Sequence, residues 1–100
     1  MPAPMTPRAQ AHDAAMRAAV AHLIRAGHEE AARAPEKVVA LVAAVDARVT
    51  ASLPMAIEVA RADSEAGRYE FAWASVMATM RAAGVRAARD VFPDAPTAQL

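Results

Sequence analysis

Apolar residues recur along most of this chain at spacings of three, four and seven, the period of one face of an α-helix. Met16, Val20, Leu23 and Ile24 form such a face. Thr6 supplies an N-cap hydroxyl ahead of it, Pro7 suits a first helical position where no amide is needed, and Gly27 supplies a left-handed stop, so a first helix is expected over about 7–26. Residues 28–34 read as a short extra turn or a linker. Pro35, Glu36 and Lys37 then open a second helix over about 36–50. Its stripe is Val38, Val42, Val45 and Val49, widened by Val39 and Leu41. The β-branched residues invite a strand, but the helical spacing and the alanines at 40, 43, 44 and 47 favour a helix.

Pro54 breaks the pattern, because a proline inside a helix loses one hydrogen bond and clashes with the preceding turn. A third helix is expected over about 53–66, capped by Ser52, with Leu53, Ile57 and Ala60 on one side and Met55 and Val59 nearly opposite. Whether the second and third helices are separate or one kinked helix stays open at this point. Gly67 marks the next joint, and a fourth helix over about 68–91 carries Tyr69, Trp73, Val76, Met77, Met80, Gly84, Ala87 and Val91 as its main stripe. Phe71 falls on the far side with Val85 and Phe92 near it, so this helix has apolar residues on two faces. The proline-bearing ends, 1–6 and 93–100, read as flexible tails. The expected architecture is all-α: one domain, 1–100, built as a small bundle of four main helices.

Composition sharpens this picture. Thirty of the 100 residues are alanine, against three glycines and four aromatics. Alanine gives up no side-chain entropy in a helix, which strengthens the helical reading throughout. It also thins the core, leaving 26 larger apolar residues, six of them methionine. A domain this small buries a modest fraction of its surface, so an oligomer or a docked subunit is expected over a lone monomer.

Eleven basic and eleven acidic residues cancel, so no whole-chain field draws phosphate or anionic lipid. Cysteine is absent, which removes disulfides, thiolate metal sites and cysteine nucleophiles together. The longest unbroken apolar run, Val38 to Val45, is eight residues, so no membrane span is expected, and the first residues do not form a signal peptide. A cytoplasmic location is the default expectation.

One internal echo stands out: Ala26-Gly27-His28-Glu29-Glu30-Ala31-Ala32 and Ala66-Gly67-Arg68-Tyr69-Glu70-Phe71-Ala72 lie forty residues apart. The second copy resembles the turn into the second helix of a tetratricopeptide hairpin. Pro35 interrupts the first copy and the chain is too short for three units, so both copies read as capped helix joints.

Candidate chemistry is sparse. His12 and His22 are too far round one helix to share a metal, and His12 is expected to pack its ring over Met16. His28-Glu29-Glu30 reads as a solvated helix start, with Glu29 pairing to Arg33. The Glu-x-x-His spacing of di-metal bundles, His-Glu-x-x-His, a phosphate-cradling loop and a Gly-x-Ser-x-Gly elbow are all missing from the sequence. No catalytic, cofactor-binding or metal residue is assigned, and the chain is expected not to be an enzyme.

Two sets of residues remain. Tyr69, Phe71, Trp73, Met77, Met80, Val85 and Phe92 are either the core or a partner interface, since tryptophan, tyrosine and methionine are enriched at interface centres. Phe71 is the strongest single candidate for contact outside the subunit. Arg81, Arg86 and Arg89 are the candidate nucleic-acid contacts, although Asp90 stands four residues after Arg86 and is placed to neutralise it. The expected function is a non-enzymatic helical interaction module that self-associates or serves as an accessory subunit, using the apolar surface of its last helix. The alternative is a DNA-binding regulator or phage-type packaging component using the arginine face of that helix.

Overall fold

The computed structural model describes residues 5–67, 69–93 and 95, without the side chains of Ala31, Ala32, Tyr69, Glu70 and Phe71. Four helices follow in order: α1 (Pro7–Arg25), the single-turn α2 (Glu29–Arg33), α3 (Pro35–Glu65) and α4 (Tyr69–Val91). The all-α class holds, but among the described residues there are three long helices, not four. The segments expected as separate helices at 36–50 and 53–66 are one continuous helix of 31 residues, about 46 Å long.

The helix runs through Pro54 for a reason visible in its burial pattern. Leu41, Val45, Val49, Leu53 and Ala56 form one unbroken buried stripe that crosses the proline. Breaking the helix there would take one side of that stripe out of register, and burying a valine or leucine contributes roughly 1.5–3 kcal/mol. Pro54 and Thr50 are exposed, so the Thr50 carbonyl that loses its amide partner faces water. The proline therefore carries its cost on the wet side of the helix, while the dry side continues.

The joints follow their local chemistry. Thr6 is extended and its Oγ1 accepts from the Ala9 amide at 3.1 Å, with Pro7 at the first helical position. At the far end of α1, Gly27 adopts φ +81°, donates its N–H to the Ile24 carbonyl at 3.0 Å and lets His28 donate to the Leu23 carbonyl at 2.8 Å. Gly67 repeats this with the same φ, donating to Ser64 at 3.0 Å. Next to these joints, the Gln10 side chain donates to the Met5 carbonyl at 2.9 Å, and Ala95 donates to the Phe92 carbonyl at 3.0 Å. Residues 1–4, 94 and 96–100 lie outside the described residues.

α3 runs antiparallel to both α1 and α4, which are parallel to each other. Arg48 of α3 meets Asp90 late in α4, while Met55 and Val59 share a groove with Ser75 and Thr79 early in it. Pro7 at the start of α1 stands beside Trp73 and Val76, and Ala15 lies against Gly84.

The buried side of α1 differs from the expected one. Met16, Val20, Leu23 and Ile24 were the expected core face, yet the buried residues are Ala11, Ala15, Ala19, His22 and Leu23. Val20 and Ile24 are 36% and 48% exposed. The alanine row wins because Ala15 lies against Gly84 of α4, and small residues at that crossing let the two backbones approach. A Cβ on Gly84 would stand 1.9 Å from the Ala15 carbonyl oxygen and 2.8 Å from its Cα. Close backbone packing thus substitutes for the bulky side chains that the chain lacks, and several of the larger ones are left outside: Val39, Met55, Val59 and Trp73 are all more than 40% exposed.

By length and composition α3 is also long and apolar enough to cross a bilayer, with a mean hydropathy of 1.6 over an 18-residue window. The apolar stretch continues beyond the eight-residue run of Val38 to Val45, past Asp46 and Arg48. Those two charges are each tied to a partner on another long helix, the arrangement of a bundle helix.

Candidate functional site

The lone tryptophan decides where the site lies. Trp73, on the first turns of α4, is 42% exposed although it is the largest apolar side chain in the protein. It forms one wall of an open groove of about 560 Å³ where the start of α1, the second half of α3 and the start of α4 converge. Pro7 comes from α1, Ile57, Ala60, Arg61 and Ser64 from α3, and Ala72 and Val76 from α4. Ile57 and Ala60, in the lining of the groove, pack partly against the core. Its lining is apolar apart from the Ser64 hydroxyl and the Arg61 guanidinium, which reaches Glu58 Oε1 at 3.0 Å in a solvent-exposed pair. With Nη1 held by Glu58, the other N–H groups of the Arg61 guanidinium are donors for a ligand that has an apolar body and a carboxylate beside it.

The residues expected to form the interface divide. Met80 and Phe92 are buried within the chain itself. Met77 is half-buried against the core, and Val85 is half-buried on α4. The side chains of Tyr69 and Phe71 lie outside the described residues, although both positions belong to α4. Phe92 closes the opposite end of the bundle from Trp73: the His28 ring lies tilted against it at 6.3 Å, and Lys37 Nζ sits 5.6 Å from its centroid. His28 is thus a packing residue and not the solvated helix start that its neighbours implied, while Glu29 pairs with Arg33 as expected.

Arg81, Arg86 and Arg89 are all exposed on α4. The expected neutralisation of Arg86 by Asp90 does not occur. Asp90 accepts from Arg48 instead, from Nε at 3.0 Å and from Nη2 at 2.7 Å. Arg89, together with Arg25, faces the buried His22, and burial followed by these two positive charges pushes the His22 imidazole below its ordinary pKa. His12 is half-buried, with Met16 in the lining of one hollow. Among the described residues no three histidine, aspartate or glutamate side chains come close enough to hold a metal ion.

Pro7, Ile57 and Ala60 were not expected at a site. Pro7 signalled only a helix start, and Ile57 with Ala60 only one side of a helix. The groove exists because three helices converge on it, a relation that spacing within each helix does not express. No protein-family model, curated protein or solved structure matches the chain.

Proposed function

We propose that this chain is a non-enzymatic helical interaction module, self-associating or acting as an accessory subunit of a larger complex, and that the Trp73 groove receives an apolar helix of the partner. One observation carries this reading: the chain's only tryptophan is left 42% exposed on the wall of an apolar groove, in a protein short of large apolar side chains. Burying a further aromatic ring inside the bundle would stabilise it, so its exposure has a cost that a partner recovers. The partner segment is an amphipathic helix that seats aliphatic or aromatic side chains beside Trp73 and Ile57 and turns a carboxylate toward Arg61. Native mass spectrometry of the tagged chain recovered from its own source tests this. The wild type is expected to carry a partner mass that Trp73→Ala loses while its melting temperature stays within a few degrees. A wild type that carries no partner, or a Trp73→Ala variant that retains it, contradicts the proposal.

A second reading, a DNA-binding regulator or packaging component, has one observation in its favour: with Asp90 taken by Arg48, neither Arg86 nor Arg89 has a salt-bridge partner among the described residues. Duplex titration separates the two. Binding that falls steeply with added salt and weakens in an Arg86→Ala, Arg89→Ala double variant supports the arginine face, and no binding at low salt removes it.

A further inference from the structure

We infer that the seam between α1 and α4 is a nucleic-acid contact, a strip on which arginines of both helices bind the phosphates of duplex DNA without reading its sequence. The inference rests on the second reading above and moves its contact surface. Arg81 and Arg89 stay in it, Arg17 and Arg25 of α1 join it, and Arg86 leaves it.

Charge is segregated between the helices. α1 and α4 carry six arginines against Asp13, Glu70 and Asp90, whereas α2 and α3 carry seven carboxylates against Arg33, Lys37, Arg48 and Arg61. The zero net charge is therefore a balance between two pairs of helices and not a surface neutral throughout.

Position concentrates the positive charge further. α1 and α4 are parallel and meet at Ala15 and Gly84, and a hollow of about 520 Å³ along their seam is lined by Arg17, Ala18 and Ala21 from one helix and by Met77 and Arg81 from the other. Arg25 follows Arg17 and Arg89 follows Arg81 by eight residues, so each helix repeats its guanidinium about 12 Å further along the seam. Arg25 and Arg89 both face the buried His22 and help to depress its imidazole, which brings them to one stretch of the seam. Arg86 stands about 140° round α4 from Arg81, on the side where Asp90 meets Arg48 of α3.

The ligand follows from what these groups lack. Arg17 is held by Asp13 at 2.9 Å, but Arg25, Arg81 and Arg89 are exposed and enter no ion pair among the described residues. Three open guanidinium groups spread over about 12 Å suit a phosphodiester backbone, since a duplex presents one charge per ~1.7 Å of its axis and arginine donates to phosphate through two parallel N–H groups. Reading of bases is not provided for: no aromatic ring lines the hollow, and its carboxamide, Gln10, donates to the Met5 carbonyl at 2.9 Å. Met77 and Val85, the large apolar residues of the seam on α4, are half-buried, which disfavours entry into a lipid layer.

Anisotropy of a fluorophore-labelled duplex, titrated with the full chain over a range of salt, tests the inference. The affinity of the wild type is expected to fall with a log–log salt slope of about −3, from one counterion released per open arginine. Arg25→Ala, Arg81→Ala and Arg89→Ala are each expected to reduce that slope by about 1, and two duplexes of unrelated sequence are expected to bind alike. Ala21→Glu, at an exposed position between Arg17 and Arg25, is expected to weaken binding at least tenfold with helical circular dichroism unchanged, and Arg86→Ala to leave binding as it is. Duplex binding that resists Arg25→Ala and Ala21→Glu but is lost in Arg86→Ala overturns the inference and leaves the second reading standing. No duplex binding at low salt, or binding to phosphatidylserine vesicles alone, overturns both.

Discussion

Gly84 rests so closely on the backbone of Ala15 that a methyl group added to it would stand 1.9 Å from the Ala15 carbonyl oxygen. Ala11 and Ala19, one turn to either side of Ala15 on α1, and Ala83, Ala87 and Ala88, near Gly84 on α4, are all buried. Neither partner can move aside, because the atoms in conflict are backbone.

Gly84→Ala therefore has a sign opposite to the ordinary one. In an exposed helix interior the change stabilises by about 1 kcal/mol. Here we expect a loss of about 1–3 kcal/mol from overpacking, seen as a lower midpoint in urea. A neutral or stabilising result would show that α1 and α4 do not meet at this point.

Pro54 gives the reverse case. Its ring lies on the exposed side of a helix that continues past it, so Pro54→Ala restores the amide to the Thr50 carbonyl without altering the buried stripe. A gain of about 1–3 kcal/mol is expected in thermal or urea unfolding. If α3 were two helices with a break at the proline, the substitution would be neutral or destabilising.

His22 is 5% exposed and faces Arg89 and Arg25. Burial, with these two charges adding to it, disfavours the imidazolium, so the folded chain holds the proton more weakly than the unfolded chain, whose histidine titrates near 6.5. The contribution to stability is complete above that value and is lost as the pH falls below it. Unfolding midpoints at pH 7.5 and at successively lower pH are expected to decline through this range, and the decline is expected to flatten in His22→Leu. An identical pH profile for the variant would assign the loss to other groups.

In the Arg48–Asp90 pair two guanidinium donors converge on the one oxygen Oδ2, and both side chains are about half exposed, 40% and 51%. Its worth is that of a surface pair, roughly 0.2–1 kcal/mol. A double-mutant cycle with alanine at both positions should return a coupling energy in that range that shrinks in high salt. A coupling well beyond it would mean that the pair, and not the apolar stripe, aligns α3 with α4.

Much of the fold was legible in the chain. Thr6-Pro7, Gly27, Pro35 and Gly67 mark helix ends through conformational preferences that act within one turn, and each stands at a helix end in the structure. Two things were not legible. Pro54 reads as a breaker because local propensity has no access to the stripe from Leu41 to Ala56 that carries the helix across it. The buried side of α1 was misread because larger apolar residues normally mark the core, whereas here Ala15 faces a glycine and closeness of approach outweighs side-chain size. The site followed from the same inversion: Trp73, which the sequence left open between core and interface, stands at the rim of a bundle that closes on methyl groups.

That position is the centre of the account, and the fluorescence of Trp73, the chain's only tryptophan, measures it directly. The wild type is titrated with an alanine-based helical peptide bearing leucines three and four residues apart with glutamates beside them, and with a counterpart bearing lysines. The account predicts a saturable blue shift and loss of acrylamide quenching with the glutamate peptide, a weaker effect with the lysine peptide, and reversal of that preference in Arg61→Glu. An emission that is fully shielded before any peptide is added, or that fails to respond to either peptide, would contradict it.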